Sequence, residues 1–270
     1  MNAYTRATAV HWLDEGRPAI VVVVLEARGS VPRGTGTRMI VSASEVVGTI
    51  GGGHLELKAI VEARALLQSG SAGRSIHFPL GPALGQCCGG AVTLGFTRLD
   101  AQAIAAWPTP RPLFHLQMYG AGHVGRAIAR LLATIDCTVD WIDEREEEFP
   151  NSLFAGTYWP AHIRSVSVDA VEAEVRNAPP GAYYLVLTHS HDLDLRITEE
   201  VLRRGDFGYL GLIGSLSKRA RFIHRFEERG IPAERIARMT CPIGLPGIHG
   251  KEPELIAVSV VAQLLSDDDH

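Results

Sequence analysis

Hydrophobic residues in the first hundred positions alternate between the two-residue period of strands and the longer period of helices. The valine-rich run Ala19–Leu25 has the length of a strand and predicts a buried one. Glycine-rich and polar segments separate the periodic stretches. The pattern predicts a small mixed α/β domain with helices Thr5–Glu15 and His54–Leu67 and strands Ala19–Ala27, Arg38–Val41, Val46–Ile50, Arg74–Phe78 and Ala91–Phe96.

The pattern changes after a proline-rich segment. Residues 99–112 end in three prolines within five positions, which a packed helix or strand does not tolerate. Downstream, apolar strands alternate with helical stretches, which is typical of a doubly wound parallel sheet. The elements predicted there are Leu113–Tyr119, Val124–Ile135, Thr138–Ile142, Tyr184–Thr188, Ile197–Arg204, Tyr209–Ile213, Lys218–Arg229 and Pro253–Leu265.

These patterns predict the fold class α/β. We expect a small mixed α/β domain at 1–98, a Pro-rich linker at 99–112 and a Rossmann-like doubly wound parallel-sheet domain at 113–270.

Composition excludes several functions. The chain has 270 residues, 46% of them hydrophobic, and a net charge of −4 without charged blocks, so we expect no nucleic-acid surface. The longest apolar run is too short to span a bilayer, and an acidic pair interrupts the N-terminus where a secretory signal needs its apolar core. Four cysteines without a CxxC pair are typical of reduced thiols. We therefore expect a cytoplasmic protein that binds no membrane.

The second domain carries a glycine motif of the dinucleotide type. Gly120, Gly122 and Gly125 have G-x-G-x-x-G spacing directly after an apolar strand, and a helical stretch follows. Asp143 ends the next strand about 20 residues later, where an acid binds a ribose hydroxyl in such folds. The motif predicts a nucleotide in the Rossmann cleft. Two alternatives stay open, another phosphorylated ligand or a turn closed by glycines without any ligand.

Histidines and aspartates cluster in THSHDLD, after the strand predicted at Tyr184–Thr188. Ligands bind at the carboxyl ends of such strands, so a metal site is one hypothesis. The spacing does not match the metallo-β-lactamase pattern H-x-H-x-D-H, which disfavours a metal. Direct ligand contact and helix capping with exposed histidines remain as alternatives. The residues concerned are Thr188, His189, His191, Asp192 and Asp194.

Two further segments of this domain carry polar groups near predicted helix starts. IGSLSKRAR suits an anion, because hydroxyls, backbone N–H groups and cations meet at a helix N-terminus; a capped helix with solvated basic residues is the alternative. Its candidate residues are Gly214, Ser215, Ser217, Lys218 and Arg219. In CPIGLPGIHGKEP, Pro253 suits a first helical turn, and we expect His249 and Lys251 to face the cleft.

The first domain contains three glycine-rich segments. VVGTIGGGHLE leads from a strand through a triple glycine into a helix, which exposes backbone N–H groups to an anion. EARGSVPRGTGTRM adds arginines, and GPALGQCCGGAV contains two adjacent cysteines among glycines. The candidate binding residues are Arg28, Ser30, Arg33, Arg38, Gly51, Gly52, Gly53, His54, Gln86, Cys87, Cys88 and Gly89.

Five motifs in order resemble one family over roughly Val21–Leu265. They are RGSVPR, GTIGGGHLE, GQCCGG, GAGHVG and PIGLPGIHGKEP, and together they are similar to the xanthine dehydrogenase accessory proteins of the XdhC/CoxI family. The resemblance implies a cytoplasmic chaperone rather than an enzyme. Such a chaperone binds the molybdenum–pterin cofactor (molybdopterin), assists exchange of an oxo for a sulfido ligand with a cysteine desulfurase, and delivers the product to apo xanthine dehydrogenase.

The resemblance gives the adjacent cysteines a chemical role. Molybdenum with sulfur ligands is soft and thiolate is the soft protein ligand, so Cys87 or Cys88 would contact the metal or carry a persulfide. We expect one functional thiol and one packing thiol; two small buried hydrophobic residues are the alternative. The terminal phosphate of the pterin would occupy a glycine-rich anion site.

Other functions and the oligomeric state complete the expectations. We expect a homodimer. An NAD(P)-dependent oxidoreductase on the Rossmann domain is the alternative function, and a metal-dependent hydrolase is disfavoured by the histidine spacing.

Overall fold

The computed structural model describes residues 3–51, 53–71, 73–80, 90–108, 111–153 and 159–266. The chain forms two compact units, Met1–Pro110 and Arg111–His270, called unit 1 and unit 2 below. None of the helices in the described ranges is long and apolar enough to cross a membrane.

Unit 1 consists of an antiparallel sheet and three helices in its described part. The helices are α1 (Ala3–Asp14), α2 (His54–Ser69) and α3 (Ala101–Ala105), and the strands are β1 (Ala19–Arg28), β2 (Arg38–Ser42), β3 (Val46–Gly48), β4 (Arg74–Pro79) and β5 (Ala91–Arg98). The strand order is β3-β2-β1-β5-β4, with every neighbouring pair antiparallel. These elements lie where the hydrophobic pattern predicted them, apart from α3.

The central strand β1 is buried on both faces, which explains its continuous apolar run. Successive side chains of a strand point to opposite faces. Val22 packs on the same side as Leu55 of α2, whereas Val21 packs with Trp12 of α1 and Ile104 of α3. Helices therefore cover both faces of this sheet.

Helix α3 lies inside the segment predicted to be a Pro-rich linker, 99–112, and corrects that prediction. The Asp100 side chain caps the helix by accepting a hydrogen bond from the Ala103 N–H at 2.6 Å. Ile104 and Trp107 are buried against α1. The prolines at the end of the segment signalled a break, but the apolar residues before them pack onto unit 1.

Unit 2 contains a parallel sheet. Its strands are β6 (His115–Tyr119), β7 (Thr138–Asp143), β8 (Ile163–Ser167), β9 (Tyr183–Val186), β10 (Tyr209–Leu212) and β11 (Met239–Thr240). Its helices are α4 (His123–Leu132), α5 (His191–Arg204), α6 (Leu216–Glu228), α7 (Ala233–Ala237) and α8 (Pro253–Ser266), with 3₁₀ helices at Glu146–Glu148 and Val171–Asn177.

The strand order of unit 2 is that of a Rossmann fold. The sheet runs β8-β7-β6-β9-β10-β11 with all pairs parallel. When β6, the first strand of the unit, is numbered 1, this is the order 3-2-1-4-5-6. Helices α4 and α8 pack on one face of the sheet, and α5, α6 and the longer 3₁₀ helix pack on the other. The predicted fold class is confirmed.

Helix α5 begins six residues earlier than the sequence predicted, at His191 instead of Ile197. Ser190 is its N-cap and accepts a hydrogen bond from the Leu193 N–H at 3.4 Å. The segment THSHDLD therefore forms the start of a helix at the end of β9. The hydrophobic pattern does not predict β8, α7, β11 or either 3₁₀ helix, because such short elements carry too little periodicity.

Candidate functional site

The arginine loop and the triple-glycine turn of unit 1 lie against each other. A Cβ on Gly51 would lie 2.6 Å from Pro32 Cβ and 3.2 Å from Arg33 Cγ. Gly51 also has a φ of +103°, in the region that favours glycine. Tertiary packing therefore brings together two segments that are about 20 residues apart.

Gly90, which directly follows the cysteine-bearing segment in the sequence, lies beside the same loop. A Cβ on Gly90 would lie 2.3 Å from the Ser30 backbone oxygen and 2.6 Å from that of Arg28. The Leu80 N–H donates to the Gly90 carbonyl at 2.8 Å, so the two residues that flank positions 81–89 are hydrogen-bonded to each other. We call the grouping of residues 28–33, 51, 53–54 and 90 the glycine cluster. The predicted residues Gly52, Gln86, Cys87, Cys88 and Gly89 lie outside the described residues.

The glycine cluster presents donors to solvent. Gly53 is the N-cap of α2 and has no side chain with which to cap it, so the first N–H groups of this helix have no side-chain acceptor at that position. Arg28, Arg33 and His54 are exposed. Arg28 has a 3.4 Å contact with Glu26. Backbone N–H groups with adjacent cations suit a phosphate or similar anion.

Arg38 lies elsewhere, which corrects its assignment to the anion-binding loop. Its guanidinium donates to the Gly36 carbonyl at 2.7 Å and lies 5.9 Å from the Trp107 ring centroid. Desolvation by burial lowers its pKa. Together with Val21 and Val23 it lines a cavity of about 320 Å³ on the α3 side of the sheet. Sequence proximity misled the prediction, because β2 begins at Arg38 and directs its side chain to that face.

The Rossmann glycines of unit 2 divide into two kinds. A Cβ on Gly120 would lie 2.4 Å from the Leu187 backbone oxygen, and a Cβ on Gly125 would lie 2.1 Å from the Gly120 backbone oxygen. The close strand–helix turn therefore requires both glycines. Gly122 has a φ of −70°, and a Cβ there would meet nothing within 4 Å. The packing of the described chain does not require this glycine, which leaves the N-terminus of α4 open to approach.

Asp143, the predicted ribose ligand, already has hydrogen-bond partners within the protein. Its carboxylate accepts the Ala121 N–H at 2.7 Å and both Nε and Nη2 of Arg145 at 3.0 Å. Burial raises the pKa of Asp143, but the hydrogen bonds from Arg145 and Ala121 outweigh it and hold the pKa below its usual value. Asp143 therefore ties the end of β7 to the glycine turn. The glycine motif indicates a ribose as the partner of Asp143 and carries no signal for Arg145, which lies two residues later.

A histidine and a glutamate approach each other at the point where the strand order reverses. Glu144 follows β7 and His189 follows β9, and the two strands flank β6. The His189 Nε2 lies 3.6 Å from the Glu144 Oε1. Glu144 and His189 line a crevice beside Asp143 that is too narrow to admit a water molecule.

A buried ion pair connects the starts of α5 and α6. Lys218 Nζ lies 2.5 Å from Asp194 Oδ2 and donates to the Ile213 carbonyl at 2.8 Å. The other Asp194 oxygen accepts from the Thr188 hydroxyl at 2.7 Å and the Thr188 N–H at 3.0 Å. The Lys218 and Asp194 side chains are 6% and 1% exposed. A Cβ on Gly214 would lie 2.6 Å from Lys218 Cδ, so this glycine makes room for the lysine.

A cavity of about 270 Å³ lies next to this pair. Ser215 caps α6 by accepting the Lys218 N–H at 3.2 Å. Arg221, one turn further along α6, was missed by the sequence analysis although its spacing from the lysine would have placed it on the same helix face. The lining consists of Thr188, His189, His191, Asp194, Ile213, Gly214, Ser215, Lys218 and Arg221.

The metal hypothesis for THSHDLD finds no support in the described ranges. They contain no group of three or more histidine, cysteine, aspartate or glutamate side chains arranged to hold a metal. The Asp194 carboxylate faces Lys218 instead of a neighbouring imidazole. Asp192, His249 and Lys251 are exposed.

The two described cysteines are buried. Burial raises the pKa of Cys137 to about 12 and also raises that of Cys241. Both thiols are therefore protonated and poorly nucleophilic at neutral pH.

Comparisons with known proteins cover both units. The XdhC Rossmann domain matches residues 116–264, and the XdhC and CoxI family matches residues 12–78. The uncharacterized protein YqeB of Escherichia coli is 30% identical over 269 residues, 98% of this chain but 46% of YqeB. The molybdenum cofactor insertion chaperone PaoD of Escherichia coli is 24% identical over 288 residues, 96% of this chain and 86% of PaoD.

A solved structure shares the fold. A crystal structure described as a xanthine dehydrogenase from Bacillus halodurans superposes with a TM-score of 0.71 at 18% identity, covering 98% of this chain and 95% of that one. The chain thus spans less than half the length of YqeB but nearly all of PaoD and of the solved structure.

Proposed function

Because the chain belongs to the XdhC and CoxI family, we propose that it acts as a molybdenum cofactor insertion chaperone. It binds the molybdenum–pterin cofactor, supports its sulfuration and delivers it to apo xanthine dehydrogenase. The similarity to PaoD along nearly the whole of both chains supports the chaperone function. A chaperone of this kind is a maturation factor rather than an enzyme.

The glycine cluster of unit 1 carries this proposal. The packing of Gly51 on Pro32 and of Gly90 on Ser30 brings the arginine loop, the start of α2 and the stem of the cysteine segment to one place. Exposed cations and helix N–H groups fit the anionic phosphate of the pterin. That end of the cofactor would be held by Arg28, Arg33 and Gly53 together with the neighbouring Ser30, Gly52 and His54.

The adjacent cysteines would hold the other end. A bound molybdenum centre would supply a soft metal, and thiolate is the protein ligand that suits it. One of Cys87 and Cys88 contacts the metal or receives persulfide sulfur from a cysteine desulfurase, and the adjacent Gln86 and Gly89 are proposed to contact the same cofactor. The two buried cysteines of unit 2 lack the exposure that this role needs.

The alternative, an NAD(P)-dependent oxidoreductase, is weakened by unit 2 itself. The acid expected to bind the ribose, Asp143, already accepts hydrogen bonds from Arg145 and Ala121. We therefore assign Gly120 and Gly125 to the strand–helix turn and keep Gly122 as the point of approach for a phosphorylated ligand.

Single serine variants of the full chain test the cysteine role. Serine keeps the size of cysteine but is a hard, weakly acidic ligand, so one of Cys87→Ser and Cys88→Ser should stay folded yet lose bound molybdenum and activation of apo xanthine dehydrogenase. Normal binding and activation by both variants would overturn the thiol role.

Arginine variants test the glycine cluster. Arg33→Ala should reduce cofactor retention about tenfold, because it removes a cation from the anion site. Arg74→Ala is the matched control. Arg74 is an exposed arginine at the first position of β4, at the opposite end of the strand from Leu80, and among the described residues it pairs only with Glu62. Equal retention by the two variants would remove the support for this site.

The proposal also includes a cytoplasmic homodimer. Sedimentation of the purified chain measures the oligomeric state, and a monomer at all concentrations would contradict it.

A further inference from the structure

Unit 2 contains a second set of polar groups that the chaperone proposal does not use. It surrounds the cavity of about 270 Å³ between the N-termini of α5 and α6, called the α5–α6 cavity below. The cavity lies at the carboxyl ends of β9 and β10, the edge at which open α/β sheets bind ligands. Its volume suits a small molecule rather than a dinucleotide.

The buried ammonium of Lys218 forms part of the cavity wall. Its three N–H groups find two acceptors within the described chain, the Asp194 carboxylate and the Ile213 carbonyl. The side chain is 94% buried, so a remaining donor has little access to bulk water. A buried ion pair is costly to form and adds little stability over apolar residues, so its place at a cavity wall points to a ligand.

Further donors surround the cavity without partners of their own. Arg221 and His191 line it, and neither side chain makes a hydrogen bond or ion pair with any described residue. Asp194, the acid of the lining, is already engaged by Lys218 and Thr188. Among the described residues that line the cavity, Arg221 therefore has a free guanidinium, Lys218 retains one donor, and no carboxylate is left unpaired to oppose an anion.

Two helices direct their N-termini at this place. Helices α5 and α6 have 14 and 13 residues, and Ser190 and Ser215 each satisfy only one of the first N–H groups. The positive ends of both helix dipoles add to the cationic side chains. Phosphate is the biological anion that such donors recognise best.

The adjoining crevice is closed to the rest of a dinucleotide. Arg145 donates hydrogen bonds to the Asp143 carboxylate, and the Glu144 side chain lies 3.6 Å from that of His189 at the end of β6. A ligand in the α5–α6 cavity therefore extends no ribose to Asp143.

We propose that the α5–α6 cavity binds the phosphate group of a small phosphorylated ligand. Arg221 supplies the uncompensated positive charge, Lys218 supplies an ammonium donor, Ser215 and the two helix N-termini supply neutral donors, and Asp194 is a positioning residue that holds Lys218. This site is separate from the glycine cluster and does not depend on molybdenum cofactor binding.

Titration of the full chain with inorganic phosphate tests the proposal. Amide shifts in ¹H–¹⁵N spectra should appear at residues 188–194 and 213–221, and calorimetry gives the Kd. Arg221→Ala should raise that Kd about tenfold, because it removes a charge-assisted contact from the exposed rim without touching the buried pair. Arg225→Ala, one turn further along α6 and exposed, should change the Kd less than about twofold.

Titrations with other ligands and with further variants distinguish binding in this cavity from binding elsewhere on the chain. Glycerol 3-phosphate should bind with the same Arg221 dependence, and NAD should bind no more tightly than inorganic phosphate. Lys218→Met should abolish binding if it folds, and Arg33→Ala should leave the phosphate affinity of this cavity unchanged. Shifts confined to residues 51–56, equal Kd values for the two α6 variants, or tight NAD binding lost in Asp143→Ala would each overturn the proposal.

Discussion

Replacing Asp143 by alanine should destabilise unit 2, because its carboxylate is part of the fold. The side chain is 2% exposed and accepts the Ala121 N–H at 2.7 Å together with the fork of Arg145 at 3.0 Å. Truncation of the Asp143 side chain leaves the buried Ala121 N–H, in the glycine turn, without an acceptor. The ribose-binding prediction, by contrast, concerns only a loss of nucleotide affinity.

The size of the loss follows from these contacts. An unsatisfied buried donor costs about 1–3 kcal/mol, and a hydrogen bond to a charged group contributes about 1.5–3 kcal/mol. Arg145 is 29% exposed and regains water when its partner is removed, so its share is small. We expect Asp143→Ala to lower the free energy of unfolding by about 2–4 kcal/mol, and Arg145→Ala to lower it by about 1 kcal/mol.

The loss should depend on pH with a defined sign. The pKa of Asp143 lies below its usual value in the folded chain. Its stabilisation is therefore complete above the unfolded pKa of about 3.9 and is lost as the pH falls through the lower folded pKa. The difference between wild type and Asp143→Ala should stay constant from about pH 7 to 5 and shrink below about pH 4.

Urea unfolding of the full chain measures the difference, read from the transition of unit 2. Hydrogen exchange at the Ala121 amide gives a local measurement, since its N–H is bonded to the deleted carboxylate. Arg145→Ala serves as the control for loss of the ion pair alone. A variant within about 0.5 kcal/mol of wild type, with unchanged Ala121 exchange, would refute the structural role of Asp143.

Other positions give independent checks. Gly122→Ser should leave the urea midpoint unchanged, because nothing lies within 4 Å of its Cβ position and serine is a good N-cap. Gly125→Ala should cost more than about 2 kcal/mol in the same assay, since its Cβ would lie 2.1 Å from a backbone oxygen. Iodoacetamide at about pH 8 should leave Cys137 and Cys241 unmodified until urea is added, because burial raises both thiol pKa values; mass spectrometry of native protein carrying either adduct would contradict this. Lys218→Met should lower stability by about 3–5 kcal/mol, measured by thermal unfolding, because it strands a buried carboxylate. A loss below about 1 kcal/mol would mean that water reaches the pair.

The sequence by itself determined the class of fold and most elements. The run in β1 has no polar alternation because both faces of that strand are buried, and the alternation after residue 113 specified parallel strands. The spacing of Gly120 and Gly125 predicted a turn whose geometry tolerates no Cβ. These features are local, since periodicity and glycine conformation act within a few residues of the chain.

Only the tertiary structure decided which polar groups meet. Asp143 and Arg145 are two residues apart, yet their pairing matters because the fold brings Ala121 to the same carboxylate. Lys218 meets Asp194 across two helices, and Arg38 leaves the glycine-rich loop for the opposite face of its sheet. A charged side chain looks the same in a sequence whether it is solvated, paired or held for a ligand. The partner that decides between these states is usually distant along the chain, so packing alone reveals it.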